Sequence, residues 1–265
     1  MAHRVSPAVR GSARYTFGTT RIFDNIIAGE GDLLTVDRAF PQVRLSTVSG
    51  AVSRDTRDDP LEPQRGTFVA VDATIAGRAI GSEVGFTKAF LQGFLYRRLG
   101  KPNLVFAGGA RLGLARAFLR FADTIDENGN PQVVPVRDLP ASERFFTGGE
   151  STIRGFALDS VGVPATLTTR GFPKGGDAEV VLNAELRVPI RGAVGGVLFV
   201  DGGNVFARAS DLDLSELRGS IGFGARYRSP IGPIRLDMGF KLDRRVIGSG
   251  LEPRYAVHFS IGQAF

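Results

Sequence analysis

The sequence predicts an all-β fold, an antiparallel transmembrane β-barrel, on three observations. Apolar and polar residues alternate with a period of two through segment after segment of the 265-residue chain. These segments run to around ten residues, where soluble strands average ~5–6 and a tilted strand needs ~9–11 to cross a bilayer. Tight turns alternate with longer polar connections, the pattern of barrels with short turns at one end and long loops at the other. A soluble β-sandwich would share the alternation. Strand length and the terminal Phe265 favour the barrel.

In chain order the weaker candidates come first, at 8–17, 42–53, 67–77, 84–97 and 103–117. In the last two the parity breaks at Lys88 and near Arg116, which predicts a bulge or a displaced strand end. A long Gly-rich stretch follows, and then the pattern sharpens. In "AEVVLNAELRVPI" (178–190), Leu182, Leu186, Val188 and Ile190 share one parity, and Glu179, Asn183, Glu185 and Arg187 the other. Helical spacing would scatter these charges into the apolar face.

Segment 195–206 reads as the next strand. In 219–229, Ile221, Phe223, Ala225 and Tyr227 oppose Arg226 and Arg228, and in 234–243, Ile234, Leu236, Met238 and Phe240 oppose Arg235, Asp237 and Lys241. The terminal 254–265 carries Tyr255, Val257, Phe259, Ile261 and Phe265 on one face. About ten strands result, joined alternately by turns such as "RLGKPN" (98–103), "IRGAVG" (190–195) and "SPIGP" (229–233) and by loops such as "ARASDLDLSEL" (207–217) and "RRVIGSGLEP" (244–253).

Composition narrows the function classes. The chain has no Cys, and its two His, His3 and His258, stand at opposite ends of the sequence, so neither a disulfide framework nor a metal centre is expected. No apolar run approaches the ~18 residues of a membrane helix, and the first residues lack the apolar core of a signal peptide. The formal charge of +6 is scattered, with no basic cluster interleaved with aromatics, which disfavours nucleic acid. No Gly-x-Ser-x-Gly elbow, phosphate-binding loop or Cys nucleophile is present, so neither an enzyme nor a cofactor is expected. Parity singles out Glu185 on the polar face of its strand and Asp201 in an otherwise apolar one, although Asp201 before "GGN" also reads as a turn signal.

The stretch "FFTGGESTIRGF" (145–156) resembles the loop signature of the BamA/TamA family of outer-membrane assembly barrels, of bacterial surface antigen type, whose core is here Arg154-Gly155-Phe156. "RDTRDDPLEPQRG" (54–66), "LFVDGGNVF" (198–206) and "GPIRLDMGF" (232–240) with the final Phe265 are similar to further family stretches in the same order. "DTRDDPLEPQRG" and the "RFFTGGESTIRGF" spacing make the TamA-like branch the nearest in appearance. The resemblance implies that residues 1–265 are the C-terminal portion of a barrel of roughly sixteen strands. No stretch here corresponds to the family's POTRA domains, first strands or signal peptide.

The resemblance further implies a long loop at 118–176 that folds into the lumen. There Arg154 would meet Asp201 or Glu185, with Phe145, Phe146 and Phe156 packing the loop against the wall, while Phe265 would serve as a terminal assembly signal. For 54–66 a structural turn is the simpler reading. The expected location is the outer membrane of a Gram-negative-type bacterium, and the expected activity is insertion, assembly or translocation of other outer-membrane or secreted proteins. Expected partners are outer-membrane lipid, nascent β-barrel or autotransporter-like clients and a periplasmic accessory protein. A dedicated secretion pore of two-partner type and a truncated surface antigen without independent activity are the alternatives.

Overall fold

A computed structural model describes residues 2–4, 6–21, 42–100, 104–125, 131–230, 232–247 and 250–262. One large sheet joins β1 (Ala2–Arg4), β2 (Val9–Arg21), β3 (Gln42–Asp55), β4 (Gly66–Ala76), β5 (Phe86–Leu99) and β6 (Leu104–Ala117) to β9 (Ala178–Arg191), β10 (Val194–Phe206), β11 (Arg218–Ser229), β12 (Gly232–Lys241) and β15 (Tyr255–Ile261). Two hairpins, β7 (Arg120–Ile125) with β8 (Pro131–Val136) and β13 (Val246–Ile247) with β14 (Gly250–Leu251), lie within connections and pair only with themselves. Every neighbouring pair is antiparallel, so the sheet is an up-and-down meander with β1 and β15 at its edges.

The faces follow the alternation. Outward stand Val69, Val71 and Ile75 of β4, Leu198 and Val200 of β10, Ile221, Phe223 and Tyr227 of β11, and Val257, Phe259 and Ile261 of β15, all exposed. Leu182 is 45% exposed while its neighbours Val181 and Asn183 are buried. No second sheet covers this apolar surface among the described residues, so the sandwich reading fails and a lipid solvent is what the surface fits. Among the described residues no helix is long and apolar enough to cross a membrane.

The other face is concave. The turn 56–65, which follows β3, reaches strands far along the sheet: the Pro63 carbonyl accepts from Arg187 of β9 at 3.3 Å, and Glu62 pairs with Arg228 of β11. Only a strongly curved sheet brings those elements together. The turn is itself well fixed, with Asp58 Oδ1 accepting from the amides of Gln64 (2.9 Å) and Arg65 (3.1 Å), and Asp59 Oδ1 from those of Leu61 (2.7 Å) and Glu62 (3.1 Å).

Of the bulge or displaced strand end expected at Lys88 and near Arg116, the structure shows the displaced end: β5 runs Phe86–Leu99, two residues later than 84–97, and there is no bulge. β5 pairs with β6 in continuous register from Phe86↔Ala117 to Leu99↔Leu104. The parity is lost because the concave face of β5 is aromatic, with Phe86 and Phe94 buried there. Lys88 points the same way, its Nζ donating to the Glu143 carbonyl at 2.9 Å and lying 4.7 Å from the centre of the Phe145 ring. A loop packed inside takes the place of water, so the inner face does not need to be polar. The register shift that does occur lies between Val194 and Gly195, where β9 turns into β10.

Candidate functional site

Between β6 and β9 the chain leaves the sheet and returns through the concave side. Phe145 makes an isolated bridge to Gly176 and packs in a buried cluster with Phe86, Leu139 and Val43. Phe146 is half-buried near Gly175. Residues 148–156 then descend along the wall, and three of their carbonyls are held by side chains from three strands. Arg235 of β12 donates to Glu150 O at 3.0 Å, Arg111 of β6 to Ser151 O at 2.7 Å, and Asn183 of β9 to Thr152 O at 2.6 Å.

Arg154 is 1% exposed. Its Nε and Nη2 form a fork onto Asp201 of β10, at 2.7 and 2.9 Å, and its backbone N–H donates to the same carboxylate at 3.1 Å. Nη1 reaches Glu185 of β9 at 2.7 Å, with Asp237 of β12 3.9 Å away. The guanidinium lies over Phe199 of β10, 3.6 Å from the ring centre. Burial alone would depress the guanidinium, but the hydrogen bond to Asp201 and the nearby Glu185 and Asp237 carboxylates more than offset it and hold Arg154 above the ordinary arginine value.

Around this arginine the carboxylates are shared. Glu185 also accepts from Arg187 at 2.8 Å, and Asp237 accepts from Arg226 at 2.6 Å and Arg235 at 2.9 Å. A buried charge needs such pairing, and bidentate charge-assisted contacts are the strong form of it. Gly155 follows at φ 89°, and a Cβ there would stand 2.9 Å from the Gly239 carbonyl carbon of β12. The reciprocal Cβ on Gly239 would stand 2.5 Å from Gly155 N, so both positions must be glycine for the backbones to meet. The Gly155 N–H donates to His258 Nε2 of β15 at 3.0 Å. Phe156 is fully buried with Ile153, Val161 and Val181, and Arg218 and Lys241 stack on its ring at 4.6 and 5.1 Å.

The structure therefore brings Arg154, Gly155 and Phe156 together with Glu185 and Asp201, whereas Phe265 lies outside the described residues. Sequence reasoning did not single out Asp237, Arg235 or Phe199 as partners of the loop. Parity marked the first two as inward, but nothing local told which inward residues meet it. His258, opposed in sequence parity to the apolar residues of its strand, carries no local sign of its partner either. No group of metal-ligating side chains is found among the described residues.

Residues 12–265 match the Omp85 superfamily domain. The chain is 31% identical over 216 residues to the outer membrane protein assembly factor BamA of Nitratidesulfovibrio vulgaris, covering 80% of this chain and 25% of that protein. It is 29% identical over 119 residues to the sorting and assembly machinery component 50 homolog of Homo sapiens, covering 44% of this chain and 21% of that one. Among solved structures it is similar to BamA from Haemophilus ducreyi lacking POTRA domains 1-3, with a TM-score of 0.70 at 20% identity, over 97% of this chain and 52% of that one. The chain thus spans about a quarter of the length of the curated BamA it matches over 80% of its residues.

Proposed function

The chain belongs to the Omp85 superfamily, and from that premise we propose that it is the C-terminal barrel portion of a protein that assists insertion, assembly or translocation of other outer-membrane or secreted proteins. Its location is the outer membrane of a Gram-negative-type bacterium, in keeping with the apolar outward face of the sheet. The observation that carries the reading is the buried fork of Arg154 on Asp201, which ties the loop to the inner wall. In this reading residues 118–176 form a lumen-folding loop, Arg154-Gly155-Phe156 is its tether, Glu185 and Asp201 are its inner-wall partners, and Phe265 is a terminal assembly signal.

The work is mechanical and involves no covalent step and no cofactor. Among the described residues β15 is paired on one side only, with β12, and its other edge carries backbone donors and acceptors that an incoming strand could take up by β-augmentation. Clients are nascent β-barrel or autotransporter-like chains, the surrounding solvent is outer-membrane lipid, and a periplasmic-side accessory protein is a further partner. The test is depletion of the complete protein in its native cell with quantification of the other outer-membrane barrels. A general fall is expected, while loss of one secreted protein with barrel levels unchanged would replace assembly by dedicated secretion.

A further inference from the structure

Two arginines next to the tether hold donors that the ion-pair network does not use. Arg187 gives Nε to Glu185 at 2.8 Å and Nη1 to the Pro63 carbonyl at 3.3 Å, and its Nη2 is buried with no acceptor among the described residues. Arg226 gives Nη1 to Asp237 at 2.6 Å and turns Nη2 toward Glu185 at 3.5 Å, and its Nε is likewise buried without an acceptor. A buried donor left unmet costs on the order of 1–3 kcal/mol, more when it is charged. Both side chains line a cavity of about 330 Å³ at the short-turn end of the sheet, walled on one side by the turn 56–65. Arg98 and Arg228 line it too, held by Gln64 and Glu62 of that turn.

Charge counting gives the sign of what the cavity accepts. In and behind its wall stand Arg98, Arg154, Arg187, Arg226, Arg228 and Arg235, against Glu62, Glu185, Asp201 and Asp237, which leaves two positive charges uncompensated. A planar guanidinium matches the oxygen spacing of phosphate and binds it in the same manner as a carboxylate. The volume is at the lower end of the ~300–1,000 Å³ typical of small-ligand sites. We propose that this cavity is a binding site for a phosphate-type oxyanion, either the free anion or the phosphate of a lipid headgroup. The inference rests on the arginines and the turn, and stands independently of the assembly reading.

The full chain, purified in a phosphate-free neutral detergent, is titrated by calorimetry with inorganic phosphate and, separately, with short-chain phosphatidic acid in mixed micelles. Arg226→Gln removes one guanidinium and its positive charge from the cavity wall and is expected to weaken binding about tenfold or more. Glu62→Gln removes the carboxylate at the mouth and frees Arg228, so it is expected to tighten binding by up to about fivefold. Saturable binding of inorganic phosphate with these opposite responses assigns the site to the free anion. Saturable binding of the lipid alone, with the same responses, assigns it to a headgroup. No saturable binding of either probe, or binding indifferent to both substitutions, overturns the proposal. Glu62 lies in an exposed turn, so its variant carries the test if Arg226→Gln does not fold.

Discussion

His258 on the edge strand β15 accepts the Gly155 N–H at 3.0 Å, so the residue next to the tethering arginine is bonded to the strand at which the sheet ends. Arg154 holds β9 and β10, and its neighbour holds β15. His258→Ala leaves a buried N–H without its acceptor, a loss of about 1–3 kcal/mol. It should raise protease accessibility of residues 143–162, and His258→Gln, whose amide oxygen can accept, should restore protection. Equal protection in wild type and His258→Ala would show that the bond does not hold the loop.

Arg154→Ala removes one partner from a desolvated cluster and should destabilise loop docking by about 3–5 kcal/mol. Arg154→Lys keeps the charge but cannot reproduce the fork on Asp201 together with the contact to Glu185. It should therefore be nearly as damaging, with client assembly and loop protease protection as readouts. Full function in the lysine variant would mean that only charge matters.

Gly155 and Gly239 form a backbone contact with no room for a methyl group. Gly239→Ala changes no charge and no hydrogen-bonding side chain, yet it should push the loop off β12 and lower the temperature at which the folded barrel melts. An unchanged melting temperature would mean that the loop can move aside at no cost.

Asp177, at the return of the loop into β9, gives a pH dependence. Burial, opposed by Arg144 and reinforced by Asp138, raises its carboxyl from 3.8 to about 6. The folded chain thus binds this proton more tightly than the unfolded one, so its contribution to stability falls as pH rises from about 3.8 to about 6 and stays at its minimum above. Asp177→Asn should stabilise the fold at pH 7–8 and flatten that part of the profile. Heat denaturation of both proteins from pH 4 to 8 is the check, and superimposable profiles would remove Asp177 as their cause.

Deleting Phe265 from the complete protein should lower its level in the outer membrane, measured by fractionation. Normal levels would leave that residue without a signalling role.

Much of this arrangement was legible in the sequence because period-two alternation reports burial directly wherever one face meets lipid and the other a polar interior. Segments 178–190 and 219–229 match β9 and β11 to within a residue or so at each end. The alternation fails on β5 for a physical reason: Phe86 faces the packed loop, while Phe94 and Tyr96 pack with Phe68 and Ala107 beneath the guanidinium groups of Arg111 and Arg187, so the inner face of that strand is largely aromatic. The signature around Arg154 and the parity of Glu185 and Asp201 pointed to the tether. His258, Asp237 and Phe199 became partners only through register, since β15 lies beside β12 and brings His258 opposite Asp237, a relation set by pairings that no local pattern encodes.

The turn 56–65 starts at β3 and ends up against β9 and β11, and so acts as a chord across an arc of strands. A ring of hinged staves can flatten into an oval, but a chord fixed at both ends triangulates it and resists that deformation. The arc from β3 to β11 is therefore braced. β12 and β15, beyond that arc, are held by the inner loop instead, through Arg235 on the Glu150 carbonyl, the Gly155–Gly239 contact and the Gly155 N–H on His258, so widening of this wall is left to a swing of the β1–β2 margin about a stiff frame.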